Sequence, residues 1–164
     1  MSEGFMNEAA LAGNLLKVPG IRTIVIGIFR QGDRIFVAEG YDPLKKQTFY
    51  RPLGGSIEFG ERAQDALKRE LVEEANAEIT NIRYLGMVEN IFTYNGEMGH
   101  EIVLLYEADF VDRSFYDHET LECHEDTGIP FQAVWKSLSE FTEQEPLYPD
   151  SLTDLLATRR GEAV

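Results

Sequence analysis

The sequence predicts a single mixed α/β domain that is mostly strand, with one central helix and one helix near the C-terminus. Segments rich in β-branched residues, such as 21–30 and 102–106, are typical of buried strands. Between them, Leu67 and Leu71 form the apolar stripe of an amphipathic helix over 62–75. A length of 164 residues with 43% hydrophobic content suits one folded domain with its own core.

The first 20 residues are predicted to form an N-terminal arm or short helix that precedes a single domain over 21–164. Asn7 can cap a helix that carries Leu11, Leu15 and Leu16, and Pro19-Gly20 would end it. The simplest interpretation is an arm that packs on the domain. A role in a homodimer interface is the alternative.

The remaining elements follow from turn residues and from the spacing of apolar residues. Asn90 is expected to interrupt one strand, Asn95-Gly96 is a strong turn signal with a loop up to Gly99, and Asp150 or Ser151 is expected to cap the last helix. Residues 111–130 are polar and acidic, which predicts a surface excursion. The predicted strands are 21–30, 34–39, 48–53, 79–89, 91–94, 100–110 and 133–138, with a loop over 40–46, a helical turn over 138–141 and the last helix ending near 160.

The central helix carries an acidic face. Glu70, Glu73 and Glu74 are spaced i, i+3, i+4, so their carboxylates lie on one side of the helix. Like charges at this spacing repel one another, and a cation between them would turn the repulsion into a binding site. Mg²⁺ is the natural candidate because it prefers oxygen ligands and shares its coordination shell with phosphates and water.

This segment resembles a known sequence motif. Gly55, five residues, Glu61, seven residues, and then Arg69-Glu70-Leu71-Val72-Glu73-Glu74 are similar to the Nudix box of the Nudix hydrolase superfamily, the MutT-like proteins. Two positions differ, since Asn76 replaces a glycine and Ala77 replaces a larger aliphatic residue. Asn is the commonest residue other than glycine in the left-handed conformation, so Asn76 should still end the helix.

The resemblance implies a fold and an activity. Nudix proteins are α/β/α sandwiches in which a mixed sheet lies between helices, here the box helix and the C-terminal helix. They cleave a phosphoanhydride bond of a nucleoside diphosphate linked to another group, with Mg²⁺ as the cofactor and Mn²⁺ expected to substitute. The implied metal ligands are Glu70, Glu73, Glu74 and a backbone carbonyl of Gly54 or Gly55, while Arg69 orients the box by pairing with Glu61.

The general base of such a reaction is left open between two sources. Glu74 is one candidate, and a carboxylate from outside the box is the other. Glu97 and Glu101, on the hairpin after Asn95-Gly96, are the candidates outside the box, and Glu101 is preferred. Glu122, Glu125 and Asp126 are interpreted as a solvated acidic loop.

The substrate prediction uses Arg51, which could reach a phosphate, and Tyr94, which could stack on a base. Members that hydrolyse ADP-ribose tend to carry a proline about sixteen residues beyond the box, where this chain has Phe92-Thr93. Members that hydrolyse dinucleoside polyphosphates tend to carry a tyrosine at about that position, and this chain has Tyr94 there. A nucleoside triphosphate or dinucleoside polyphosphate is therefore favoured. An ADP-ribose or nucleotide-sugar pyrophosphatase and a non-catalytic nucleotide sensor are the alternatives.

Charge and composition limit the partners. The net charge of −14 disfavours stable nucleic-acid binding, because phosphate backbones need clustered Lys and Arg. The single cysteine, Cys123, is consistent with a reducing cytosol. The sequence contains no run of about 18 apolar residues and no secretory leader pattern. A cytoplasmic location without membrane contact, and a small nucleotide as the partner, are expected.

Overall fold

The computed structural model describes residues 19–159. The predicted N-terminal helix therefore lies outside the described residues. The strands and helices, in chain order, are β1 (Arg22–Ile28), β2 (Arg30–Gln31), β3 (Arg34–Asp42), β4 (Gln47–Arg51), β5 (Gly54–Ser56), α1 (Ala63–Ala75), β6 (Ile79–Tyr94), β7 (Glu97–Phe110), β8 (Thr120–His124), β9 (Pro130–Ser137) and α2 (Leu152–Thr158), with 3₁₀ turns at Arg113–Tyr116 and Leu138–Glu140.

Two sheets form the frame of the domain. The first is mixed, in the order β5-β1-β7-β6, with β1 and β7 parallel and the other pairs antiparallel. The second is antiparallel, in the order β2-β3-β9-β8, and β4 pairs with the C-terminal half of β3. This arrangement confirms the predicted α/β fold, because helices cover both faces of the mixed sheet. None of the described helices has the length and apolar character needed to cross a membrane.

The two faces of the mixed sheet pack against different helices. Because side chains alternate across a strand, Val25 of β1 faces one side and Ile24 faces the other. Val25 packs in a core cluster with Leu67 and Leu71 of α1. Ile24 packs with Leu152 of α2. We call these the α1 face and the α2 face of the mixed sheet.

Two local predictions were wrong. Strand β6 runs without a break through Asn90, and its irregularities lie instead near Thr80–Arg83 and Tyr84–Gly86. Strand β7 begins at Glu97, directly after the Asn95-Gly96 turn, so no loop extends to Gly99. The 111–130 segment, predicted to be a surface excursion, is mostly exposed and contains the 3₁₀ turn and strand β8.

Aromatic contacts explain why the 111–130 segment is ordered. The rings of Phe110 and Phe115 stack with their centroids 4.4 Å apart. The Trp135 indole N–H donates to the Phe115 carbonyl at 2.9 Å, and the Tyr116 hydroxyl accepts from the Phe110 amide at 3.0 Å. These contacts fix the turn against the core, and polar composition alone did not reveal them.

Asn76 ends α1 in the left-handed conformation that its residue type predicted. Its φ is 50° and its ψ is 38°, and its amide donates to the Val72 carbonyl at 2.9 Å. Glycine adopts this conformation without the steric cost of a Cβ atom.

We therefore expect Asn76→Gly to raise the free energy of unfolding by up to about 1 kcal/mol and Asn76→Val to lower it by about 1–2 kcal/mol. Urea denaturation measures both changes. Ala75→Gly, one residue earlier and inside the helix, should have the opposite effect from Asn76→Gly, a loss of about 0.5–1 kcal/mol. Equal losses for both glycine variants would contradict the cap.

Candidate active site

The glycines before α1 let a carboxylate lie against the backbone. A Cβ atom added at Gly55 would lie 2.4–2.7 Å from the carboxyl atoms of Glu70. Gly55 pairs with Val25, so Glu70 approaches the mixed sheet from the α1 face. Glu70 is buried, and burial raises the pKa of its carboxyl, an effect that the neighbouring Arg69 opposes. The site therefore begins with one carboxylate held beside an open backbone.

Arg69 holds the loop and the helix together. It donates to both carboxylate oxygens of Glu61, at 2.8 and 3.0 Å, and to the Ser56 carbonyl at 3.0 Å. It also donates to Glu70 at 2.9 Å and to Glu73 at 3.3 Å. The hydrogen bonds with Arg69 lower the pKa of Glu61. Arg69 thus makes the predicted pair with Glu61 and also partly neutralises the helix carboxylates.

A third carboxylate reaches the site from the β8–β9 hairpin. One oxygen each of Glu70, Glu73 and Asp126 lie within 4.8 Å of one another. Burial raises the pKa of Glu73, and contact with Asp126 adds to this effect. Asp126 is exposed, as expected for a solvated acidic loop, and it also lies within reach of the helix acids, which was not expected from the sequence.

The β8–β9 turn explains how Asp126 is positioned. Gly128 adopts a φ of 82°, and its amide donates to the Glu125 carbonyl at 2.7 Å. The Glu125 amide donates to the Ile129 carbonyl at 2.8 Å, which closes the hairpin. An acidic residue followed two positions later by glycine is a turn signal that sequence analysis could have used. Its distance from the helix acids could not be inferred without the pairing of β8.

Glu74 lies on the inner side of the acidic face. The Gly54 amide donates a hydrogen bond to it, and Arg51 lies close enough for its charge to favour the ionised form. Burial nevertheless raises the pKa of Glu74 to about 8, and the nearby charge of Glu70 adds to this effect. Neighbouring acids with raised pKa values are a feature of catalytic and metal-binding sites.

The donor set suits a divalent cation. In octahedral Mg²⁺ sites the metal–oxygen distance is about 2.0–2.1 Å, so opposite ligands lie about 4 Å apart. The oxygens of Glu70, Glu73 and Asp126 lie no more than 4.8 Å apart, and two of the three side chains are exposed. All three ligand groups are carboxylates. Mg²⁺ and Mn²⁺ prefer such oxygen ligands to softer ligands such as thiolates.

Glu101, the preferred base from sequence, is not beside the trio. It pairs with Arg22 across the parallel β1–β7 ladder, and this register puts it on the α2 face, opposite Glu70. Only 3% of Glu101 is exposed, and its carboxylate accepts hydrogen bonds from Arg22 and Asn90. Glu97 is exposed near the tip of the β6–β7 hairpin. The contacts of Glu101 with Arg22 and Asn90 are typical of a structural ion pair.

The two predicted substrate residues lie on different elements. Arg51 ends β4 and is half-buried near Glu74. Tyr94 ends β6, and its ring meets that of Phe49 edge-on at 5.9 Å between centroids. The turn between β3 and β4 fixes this contact, since the buried Asp42 carboxylate accepts from the Asn95 amide at 3.2 Å.

Gly55→Ala should weaken metal binding without destabilising the fold. Because the new methyl group would overlap the Glu70 carboxyl, we expect metal affinity to fall by at least about tenfold with a small change in stability. Isothermal titration with Mn²⁺ measures the affinity. Gly54→Ala should instead destabilise the protein, since its Cβ would lie 2.0 Å from the Val25 carbonyl oxygen. Gly20→Ala, with open space around it, is the control, and unchanged Mn²⁺ binding in Gly55→Ala would contradict this assignment.

The raised pKa values also predict how stability depends on pH. Between about pH 4.5 and pH 8 the folded protein holds a proton on Glu74 that the unfolded chain releases, so stability falls as the pH rises through this window. In EDTA, we expect the thermal midpoint of the wild type to decline from pH 5 to pH 8. Glu74→Gln should decline less steeply. Identical slopes for the two proteins would contradict the partly buried position of this acid.

Comparison with known proteins gives one family match. The chain matches the model of the NUDIX domain over residues 18–155. It is similar to the NAD-capped RNA hydrolase NudC of Pseudomonas syringae pv. tomato, with 34% identity over 73 residues, or 44% of this chain and 26% of that protein. The chain thus spans about a quarter of the length of this curated relative.

Solved structures share the fold. The solution structure of the E. coli ORF135 protein is 26% identical with a TM-score of 0.59, over 92% of this chain and 98% of that one. The crystal structure of a MutT NUDIX hydrolase from Burkholderia pseudomallei is 19% identical with a TM-score of 0.58, over 84% of this chain and 97% of that one.

Proposed function

Because this chain belongs to the NUDIX domain family, we propose that it is a metal-dependent pyrophosphohydrolase that cleaves a phosphoanhydride bond of a small nucleotide. The observation that carries this proposal is the convergence of Glu70, Glu73 and Asp126 beside the Gly54-Gly55 backbone. A sensor that binds a nucleotide without cleaving it would not need this complete acidic set.

The proposed metal ligands are Glu70, Glu73 and Asp126, with the Gly54 carbonyl as a further oxygen donor. A bound Mg²⁺ or Mn²⁺ would neutralise phosphate charge and activate water for attack on phosphorus. Arg69 keeps the acids together before the metal binds, since it pairs with Glu61, Glu70 and Glu73. The cost of assembling like charges is thereby lowered in the free protein.

We assign the role of proton acceptor to Glu74, the first of the two sources left open by the sequence. It lies on the inner side of the acidic face, and its hydrogen bond from the Gly54 amide fixes its orientation. Glu101 lies across the sheet and is already paired with Arg22, so we assign it a structural role.

The proposed substrate is a nucleoside triphosphate or dinucleoside polyphosphate. Arg51, near Glu74, would contact a phosphate. Tyr94 presents a ring that is 40% exposed, with Phe49 packed on Tyr94 and Tyr148 packed on Phe49, and such aromatic rings can stack on a base. The net charge of −14 favours a small nucleotide over a longer RNA.

Similarity to the NAD-capped RNA hydrolase NudC favours a second candidate, cleavage of the pyrophosphate of NAD or a related dinucleotide. In both candidates the same acids would act on a phosphoanhydride bond. The substrates differ in the group that is attached to the far side of that bond. ADP-ribose and nucleotide sugars, the alternatives named from sequence, share that pyrophosphate linkage.

The first test is product analysis on a panel of nucleotides with Mg²⁺, with Mn²⁺ and with EDTA. The panel holds nucleoside triphosphates, diadenosine polyphosphates, NAD, ADP-ribose and nucleotide sugars. We expect metal-dependent cleavage of one class. Binding of nucleotide without any product, under every metal condition, would favour the sensor instead.

Substitutions then assign the residues. Glu73→Gln should lower kcat by about 100-fold or more, since it removes a charged ligand of the cation that would neutralise the reacting phosphate. Asp126→Asn should raise the metal concentration needed for half-maximal activity by about 10- to 100-fold. Glu125→Gln, in the same hairpin but outside the trio, is the matched control. If Asp126→Asn and Glu125→Gln behave alike, Asp126 does not belong to the site.

A further inference from the structure

Two turns that are far apart in the sequence are tied together at one end of the domain. The Asp42 carboxylate, at the end of β3, accepts a hydrogen bond from the Asn95 amide of the β6–β7 turn at 3.2 Å. The Lys45 ammonium, in the β3–β4 turn, donates to the Thr93 carbonyl of β6 at 2.5 Å. The two turns therefore hold each other in place through side chains of the β3–β4 turn.

Asp42 uses a different oxygen for each turn. Its Oδ1 accepts from the amides of Leu44 and Lys45, at 3.0 and 3.1 Å, and its Oδ2 accepts from the Asn95 amide. Burial alone would raise the pKa of Asp42, but the hydrogen bonds from these amides lower it below its ordinary value. An ionised carboxylate only accepts hydrogen bonds, so it suits a position that is surrounded by three donors.

The joined turns carry aromatic rings. Tyr94 directly precedes Asn95, and its ring meets the Phe49 ring of β4 edge-on at 5.9 Å between centroids. The Phe49 ring lies against Gly40, where an added Cβ atom would come within 2.4 Å of it. On its other side Phe49 packs on Tyr148, with 5.8 Å between centroids. Three segments of the chain thus contribute to one aromatic group, and Phe49 is at its centre.

Strand β4 connects the aromatic group to the acidic site. Side chains alternate along a strand, so Phe49 and Arg51 lie on one side of β4, about 6–7 Å apart, and Tyr50 faces the core on the other side. The charge of Arg51 lies close to Glu74. A nucleotide whose phosphates contact Arg51 would therefore extend its base towards Phe49 and Tyr94.

We propose that Asp42 is a positioning residue for the nucleobase of the substrate. It joins the two turns and so keeps the Tyr94 ring, which is 40% exposed, beside Phe49 as a surface on which a base stacks. This role rests on the proposed nucleotide substrate. Because every base has a π face, the surface distinguishes nucleotides from phosphate compounds without a base, rather than one base from another.

The variant Asp42→Asn removes one tie and keeps the other. Its single acceptor oxygen stays where two amides donate, at Leu44 and Lys45, and its NH₂ group then faces the Asn95 amide, from which it cannot accept a hydrogen bond. We expect the Asn95 amide to exchange its hydrogen at least about tenfold faster in the variant, with little change at Leu44. An unchanged rate at Asn95 would overturn the proposal.

Binding of two probes that resist hydrolysis then tests the functional role. One is an ATP analogue whose phosphates are bridged by methylene groups, and the other is methylenediphosphonate, which has no nucleoside. In isothermal titration with Mn²⁺ present, Asp42→Asn should raise the Kd of the ATP analogue at least about fivefold and that of methylenediphosphonate less than about twofold. Equal weakening of both probes would indicate a general structural defect and would overturn the proposal.

The matched control is Asp33→Asn. Asp33 is an exposed acid in the turn between β2 and β3, and its substitution changes the net charge by the same amount. This variant should bind both probes as the wild type does. An increase in the Kd of the ATP analogue equal to that of Asp42→Asn would assign the effect to charge alone and would contradict the role of Asp42.

A second variant tests whether Asp42 acts through Tyr94. Tyr94→Leu should raise the Kd of the ATP analogue about tenfold, because it removes the ring on which the base stacks. Adding Asp42→Asn to Tyr94→Leu should then cause little further loss, since the residue that Asp42 positions is already absent. Additive losses would contradict a positioning role.

The outcomes separate this proposal from the proposed hydrolase activity. If the wild type cleaves a nucleotide of the panel but fails to bind the ATP analogue, or if Asp42→Asn binds it as tightly as the wild type, the role of Asp42 is overturned and the hydrolase remains. If Asp42→Asn selectively weakens the ATP analogue and no nucleotide of the panel is cleaved, the role of Asp42 is supported and the hydrolase is contradicted.

Discussion

The site depends on holding several carboxylates closer together than their charges favour. Glu70 is buried against the Gly55 backbone, and Glu73 meets Asp126 from another hairpin. Arg69 offsets part of this repulsion through its hydrogen bonds to the helix acids. Burial raises the pKa of both Glu70 and Glu73, and the neighbouring carboxylates add to this effect, so binding of a divalent cation would stabilise the ionised forms.

The two faces of the mixed sheet divide structure from chemistry. The α1 face carries Glu70 and the open backbone of Gly55, and the α2 face carries the buried pair of Arg22 and Glu101. A one-residue change of register would exchange the two sets, because side chains alternate across a strand. Burial of Ile24 against α2 and Val25 against α1 therefore protects the site as well as the core.

The sequence predicted the local parts of this arrangement and missed those that depend on long-range pairing. The box spacing led to the family, which the match over residues 18–155 confirms, and Asn76 was expected to end α1. Asp126 lies about fifty residues from Glu73, and the pairing of β8 that brings them together leaves no periodic signal. Glu101 was preferred because the sequence places it on the hairpin after the box helix. The sequence does not show which face of the sheet its side chain lies on.

Glu70, Glu73 and Asp126 are proposed to share one cation. Anomalous scattering from a crystal soaked in Mn²⁺ tests it directly, because the signal locates the metal without any assumption about activity. The account predicts one strong peak about 2.1–2.2 Å from a carboxylate oxygen of each of the three residues, and loss of that peak in Asp126→Asn crystals. A peak held by Glu73 and Glu74 alone, with Asp126 turned to solvent, would contradict it.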